Sequence, residues 1–167
     1  IRIPFYPVPM TMQTFVVLFL GIGFGYKIGL ATVSLYLLEG IFGLPVFAGT
    51  PEKGIGLIYF TGPTMGYLIG FLLAVYFASY DFNKIIILDK HKKLWLTFVV
   101  VFLQLIFSVS FIYILGLLWL GTLIGWDKPI FELGAQPFLL AELFKILLLL
   151  FLTPTLFKIK KLLKKIT

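Results

Sequence analysis

The stretch LWLTFVVVFLQLIFSVSFIYILGLLWLGTLI, residues Leu94–Ile124, contains no Asp, Glu, Lys, Arg or His. As an α-helix this run is about 45 Å long, whereas about 20 apolar residues suffice to cross the ~30 Å hydrocarbon core of a bilayer. It reads as a transmembrane helix, tilted or extended past the membrane. The remainder of the chain agrees: of 167 residues, 60% are hydrophobic and 13% charged, with a mean hydropathy of +1.08. A soluble domain carries about 25% charged residues. So much apolar surface has to face lipid or other helices lying in lipid, which excludes a water-soluble fold.

Working outward from Leu94–Ile124, four more apolar runs read as spans, giving an all-α, polytopic membrane bundle in one domain, residues 1–167. They are about Met12 to Gly25, Ile28 to Gly43, Ile55 to Tyr80 and Pro137 to Phe157, with Lys27 marking the turn between the first two. Proline- and glycine-rich stretches connect them, because proline lacks a donor and disfavours helix in the residue before it. Lys84, Lys90, Lys92 and Lys93 in the segment 81–93, and the lysines of the tail 158–167, belong in the cytoplasm by the positive-inside rule. The segments 1–11, 44–59 and 126–136 then share the outer face. The chain begins Ile1-Arg2-Ile3-Pro4, without an initiator Met and outside the membrane by this topology. A preceding helix is therefore expected, which would make six spans; a cleaved signal peptide is the alternative.

The net charge of +7 is sorted into segments between and after the apolar runs, so it reports topology and not nucleic-acid binding. With no cysteine, disulfides, thiolate chemistry and cysteine-held metal are excluded. His91, the one histidine, sits in the charged run Asp89-Lys90-His91-Lys92-Lys93 and has the character of a solvated loop residue. No phosphate-binding glycine loop and no nucleophile with its base is present, so the chain is read as neither an ATPase nor another enzyme, and as needing no cofactor.

The informative residues are those that cost free energy. A charge at membrane depth costs at least ~2.5 kcal/mol and is retained for a reason. Glu39, Glu142 and Lys145 lie inside spans at similar depth beneath the outer face. Glu142 and Lys145 stand three apart on one helix face. They either neutralise each other as a packing pair or line a polar pocket opening outward, the ammonium holding a carboxylate and the glutamate accepting N–H donors. Glu39 either joins that pocket or caps a helix end. Gly62, Gly66 and Gly70 recur every four residues beside Tyr67, a smooth face for helix packing, with Pro63 expected in the first turn of that helix. Trp119 and Trp126 are expected in the interfacial aromatic belt.

Five ordered stretches resemble the BioY family, the biotin-specific S-components of energy-coupling-factor transporters. They are Pro7-Val8-Pro9-Met10-Thr11-Met12-Gln13-Thr14-Phe15; Gly43-Leu44-Pro45-Val46-Phe47-Ala48-Gly49; Gly62 to Phe71; Gly116-Leu117-Leu118-Trp119-Leu120; and Pro137 to Lys145. The resemblance implies a six-helix S-component in the bacterial inner membrane that binds biotin from outside. Its partners would be a transmembrane coupling subunit and two ATPase subunits, and a homo-oligomer is left open. It makes Gln13, Phe47, Ala48 and Tyr67 pocket residues together with Glu142 and Lys145, with Glu142 on an ureido-type ring and Lys145 on the valerate carboxylate. The family usually has Asp where this chain has Glu142, and Gly where it has Met65. The rival readings are an S-component for another small carboxylate such as lipoate, and a structural membrane protein without a solute.

Overall fold

The computed structural model describes residues 2–3, 6–52, 54–80 and 94–166; the basic segment 81–93, with His91, lies outside them. Helix Gln13–Ile41 runs for 29 residues, but inside it Gly25 stands at φ 82° and ψ 176°. Only glycine takes that conformation without strain. The chain reverses there, since Gln13 Nε2 donates to Tyr36 Oη and Gly29 packs on the backbone of Leu20. A straight helix would hold Gln13 and Tyr36 about 34 Å apart. The two arms, residues 13–24 and 26–41, are therefore an antiparallel hairpin, α1 and α2. The turn expected at Lys27 occurs two residues earlier, where the missing Cβ permits it.

The third apolar run is not one helix from Ile55. Gly56–Thr61 forms a 3-10 turn and Gly62 is extended, with φ −81° and ψ 174°. Helix α3, Met65–Ser79, starts only after Pro63 and its neighbour Thr64. Pro63, expected in the first turn of the helix, lies ahead of it because it biases Gly62 to extended backbone. Helix α4 spans Leu94–Ile124, as the sequence indicates. A short α5, Ile130–Gly134, and a 3-10 turn, Gln136–Phe138, lead into α6, Leu139–Ile166. Helix α6 thus continues past the expected end at Phe157 and through the basic tail. One antiparallel pair of two-residue strands, β1 (Arg2–Ile3) and β2 (Met10–Thr11), ties the N-terminal connection together within the all-α fold.

Helix α3 is the centre of the bundle, packed against the α1–α2 hairpin on one side and α4 on the other, while α6 closes on the hairpin. Close backbone approach makes this possible. A Cβ on Gly70 would lie 2.6 Å from Ile112 Cα, and one on Gly66 would strike the Leu115 carbonyl. Across the hairpin, a Cβ on Gly21 would lie 2.8 Å from the Val75 carbonyl. Trp119, expected at the interface, is instead half-buried, donating its indole N–H to Gly62 O at 2.9 Å and locking α4 to the start of α3. Trp126 is exposed, as expected. The outer surface of the helices carries exposed Leu35, Leu103, Leu118, Leu140, Phe144 and Phe151, the composition of a lipid-facing surface. Among the described residues, α4 over Trp95–Ile124 and the run Ile130–Ile159 through α5 and α6 are long and apolar enough to cross a membrane, whereas Gln13–Ile41, also long and apolar, is folded back on itself at Gly25.

The glycine contacts generate a prediction. Gly70→Ala puts a methyl group into the Ile112 backbone, which cannot yield as a flexible side chain would, and costs about 1–3 kcal/mol by overpacking. Thermal unfolding in detergent, followed by intrinsic fluorescence, should show a lower midpoint for Gly70→Ala than for Gly62→Ala, whose new methyl meets only Tyr59 O at 3.2 Å.

Candidate ligand-binding site

Two helix starts meet at one point. Thr14 lies in the first turn of α1 and Glu142 in the first turn of α6, where the amide dipoles favour a negative charge. Lys145 follows one turn later on the same face of α6. All three are buried, Glu142 at 5% and Lys145 at 4% exposure, in a place where an unpaired charge would be prohibitive.

The pairing is close. Lys145 Nζ donates to Glu142 Oε1 at 2.7 Å, to Thr14 Oγ1 at 2.9 Å and to the backbone carbonyl of Thr11 at 2.7 Å. An ammonium has three protons, so all of its donors are used. Thr14 Oγ1 in turn donates to Glu142 Oε1 at 3.0 Å. One carboxylate oxygen thus accepts two hydrogen bonds. The other, Oε2, accepts none, and it is the one buried side-chain polar atom without a partner among the described residues. Buried polar atoms are hydrogen-bonded in the great majority of cases, so an orphan in a cavity wall marks a place where a donor from a bound molecule would be welcome. Tyr113 sits beside Glu142, where its hydroxyl interacts with the carboxylate through charge and as a hydrogen-bonding neighbour, short of a full bond to Oε2.

Around this group lies a cavity of about 50 Å³. Its polar wall is Thr11, Gln13, Thr14, Thr64, Glu142 and Lys145, and its aromatic and apolar wall includes Tyr59, Tyr67, Phe71, Tyr113 and Phe138. Tyr67 spends its hydroxyl on Gly134 O at 2.9 Å, tying α3 to α5 and leaving its ring as wall. That ring meets Tyr113 edge-on, with centroids 6.0 Å apart at 90°. Tyr59 donates to Ala48 O at 2.8 Å and holds the 44–52 segment against the cavity.

Of the residues expected from sequence, Glu142, Lys145, Tyr67, Gln13 and Ala48 all line this cavity. Phe47 does not. It is buried behind Ala48, against Gly40, with its ring 5.1 Å from Tyr36, 4.7 Å from Tyr59 and 5.3 Å from Phe60. There it lines a larger apolar cleft of about 490 Å³ between the arms of the hairpin, which shares Thr11, Gln13, Ala48 and Phe71 with the polar cavity. Glu39 stands apart as well: it is half-buried near the end of α2, its carbonyl accepts Leu44 N–H at 3.0 Å, and it is not among the cavity's lining residues. Sequence reasoning missed Thr14 and Tyr113. Thr14 lies within the Pro7-to-Phe15 stretch that carries the resemblance, and its place one residue after Gln13 was the available signal. Nothing in the sequence singles out Tyr113.

The BioY family model matches residues 1–163. A probable biotin transporter BioY of Pyrococcus horikoshii is 33% identical over 139 residues, covering 83% of this chain and 74% of that protein. The biotin transporter BioY of Thermotoga maritima is 33% identical over 146 residues, covering 87% and 79%. Among solved structures, the S-component for biotin from an ECF-type ABC transporter superposes with a TM-score of 0.67 at 25% identity, over 98% of this chain and 80% of that one. A match over nearly the whole chain, on a helical membrane bundle with a buried polar cavity, establishes membership: this protein belongs to the BioY family.

Proposed function

We propose that this chain is the substrate-specific, biotin-binding component of an energy-coupling-factor transporter. The observation that carries the reading is the orphaned Glu142 Oε2 in a cavity whose polar wall faces an aromatic and apolar one. A cyclic urea offers N–H donors to such an acceptor, and the fused ring and its aliphatic chain suit Tyr67, Tyr113 and Phe71. Family membership supports the same ligand. The protein itself is not an enzyme; ATP hydrolysis belongs to partner ATPase subunits, joined through a transmembrane coupling subunit.

The geometry revises one expected role. Lys145 has no proton left for a carboxylate, because Thr11 O, Thr14 Oγ1 and Glu142 Oε1 hold all three. The polar end of the cavity therefore presents an acceptor. A ligand carboxylate there would face the Glu142 charge, so the neutral ureido head takes this end and the valerate points away. This favours biotin over lipoate, whose dithiolane ring carries no N–H. The cavity of about 50 Å³ has room for a few water molecules, not for a bicyclic ring. Binding thus requires the cavity to open, and the segment we propose to move is 44–52, which meets the cavity at Ala48 and makes no bond to Lys145. The first two outer connections reach this cavity through Val8 and Ala48, and Phe138, just past the third, joins them, which supports placing them on one face. Because the lysine-rich sequence of 81–93 and 158–167 belongs in the cytoplasm by the positive-inside rule, we place that face on the outside of the cytoplasmic membrane.

Removing one member of a buried ion pair costs about 3–5 kcal/mol through the charge left behind. Lys145→Ala should therefore lower the unfolding midpoint and, because Lys145 Nζ holds Glu142 Oε1, weaken biotin binding by tenfold or more in the protein that remains folded in detergent; affinity within twofold of the parent would sink the site. Isothermal titration with ligand variants checks the orientation. Biotin amide, lacking the carboxylate charge, should bind within about tenfold of biotin, whereas lipoate should fail to compete, since an unpaired buried acceptor rejects an analogue without the donor strongly. Lipoate competing as well as biotin would instead assign the cavity to carboxylates.

A further inference from the structure

Thr14 does something that neither charged residue can do alone. Its hydroxyl has one proton, and an ammonium accepts no hydrogen bond, so the direction of each bond in the Lys145–Thr14–Glu142 triangle is forced. Lys145 Nζ donates to Oγ1 at 2.9 Å, and the hydroxyl proton points to Glu142 Oε1 at 3.0 Å. Oε1 therefore receives both Nζ at 2.7 Å and Oγ1, while Oε2 is left bare. The asymmetry of the carboxylate is thus fixed by three contacts from two helices that are 128 residues apart in sequence.

A glutamate has one more rotatable bond than an aspartate, so its carboxylate needs an external restraint to present one chosen oxygen. Lys145 supplies part of it, but Lys145 is on the same helix, three residues away, and follows any shift of α6. Thr14 is anchored on α1, whose neighbouring residue Val17 and Leu18 are buried in the core. It is the member of the triangle that refers the carboxylate to the opposite wall of the cavity.

We propose that Thr14 is a positioning residue for substrate recognition: by donating to Glu142 Oε1 and accepting from Lys145, it turns Oε2 to the cavity as the acceptor for the ligand N–H. The consequence for binding rests on the reading of this cavity as the biotin site, whereas the orientation of Glu142 does not depend on it. Thr14 itself need not contact the ligand. Its contribution is to keep the acceptor in place before the ligand arrives, which lowers the ordering cost of binding.

Two measurements separate these statements. In ligand-free protein, the infrared difference between the parent and Glu142→Gln isolates the Glu142 carboxylate band. Thr14→Val removes the hydroxyl with little change of shape and should shift that band, whereas Thr14→Ser should leave it at the parental position. In biotin titrations, Thr14→Val should bind about tenfold or more weakly and Thr14→Ser within about threefold of the parent, the scale of one hydrogen bond to a charged group. Should Thr14→Val fail to fold, Thr14→Ala, which also lacks the hydroxyl, takes its place in both measurements. An unmoved carboxylate band, or a shifted band with biotin affinity within twofold of the parent, would overturn the proposal. A shifted band in a parent protein that does not bind biotin would leave the orienting role intact and remove the biotin reading instead.

Discussion

A buried ammonium and a buried carboxylate have to be held together wherever they occur in a low-dielectric interior, and this one requirement organises the cavity end of the bundle. Lys145 and Glu142 sit on α6, but the groups that complete their shell come from elsewhere: the Thr11 carbonyl from β2 and the Thr14 hydroxyl from α1. Leaving either charge unmatched would cost several kcal/mol. The pair therefore fixes the position of the N-terminal segment relative to α6, and with it one wall of the cavity. From Thr11 the same wall continues outward through side chains. Its hydroxyl donates to Gln13 Oε1 at 3.0 Å, Gln13 donates to Tyr36, and Tyr36 donates to Val46 O at 3.5 Å in the 44–52 segment. The segments that cover the cavity are thus bound to the charged pair by hydrogen bonds and not by apolar packing alone.

The opposite wall has a different origin. Tyr67 and Phe71 reach the cavity because α3 can lie against α4 at glycine distance, Gly66 on Leu115 and Gly116, Gly70 on Ile112. In lipid no hydrophobic drive brings helices together, so close backbone approach and a few interhelical hydrogen bonds have to do so. Both are present: Trp119 to Gly62 O, Tyr67 to Gly134 O, and Gln104 Nε2, whose two protons are shared among the carbonyls of Phe77, Ala78 and Tyr80 at the other end of α3. Helix α3 is held at its N-terminal end by a tryptophan and a tyrosine and at its C-terminal end by a glutamine. Between those ties its aromatic face is fixed in register with the carboxylate.

Length and apolar runs were enough to read the helices Leu94–Ile124 and Leu139 onward, because crossing a bilayer imposes a length that sequence displays directly. The cost of intramembrane charge was enough to find Glu142 and Lys145. Glu39 obeys the same rule yet lies off the cavity, since a charge near a helix end reaches water from several directions and its sequence position cannot say which. Thr14 and Tyr113 escaped for the converse reason: a hydroxyl in a span costs little, so it raises no flag, and its value comes from a partner more than a hundred residues away. The hairpin turn at Gly25 falls two residues before Lys27 and the third helix starts ten residues after Ile55, each for a local reason, a positive φ in one case and a proline in the other.

The internal completeness of the charged group bears on selectivity. Because Lys145 is fully engaged, the empty protein is already electrically balanced, and a ligand is not needed to neutralise the site. What is missing is a single donor, at Oε2. A neutral molecule bearing an N–H can supply it without introducing charge into a region of low dielectric, so its desolvation cost is that of an amide and not of an ion. An anion would have to displace Thr11 or Thr14 from the ammonium while lying next to the carboxylate, losing an existing bond for each one it made. Discrimination therefore follows from which protons are already spoken for, and the net charge of the cavity, close to zero, carries little of it.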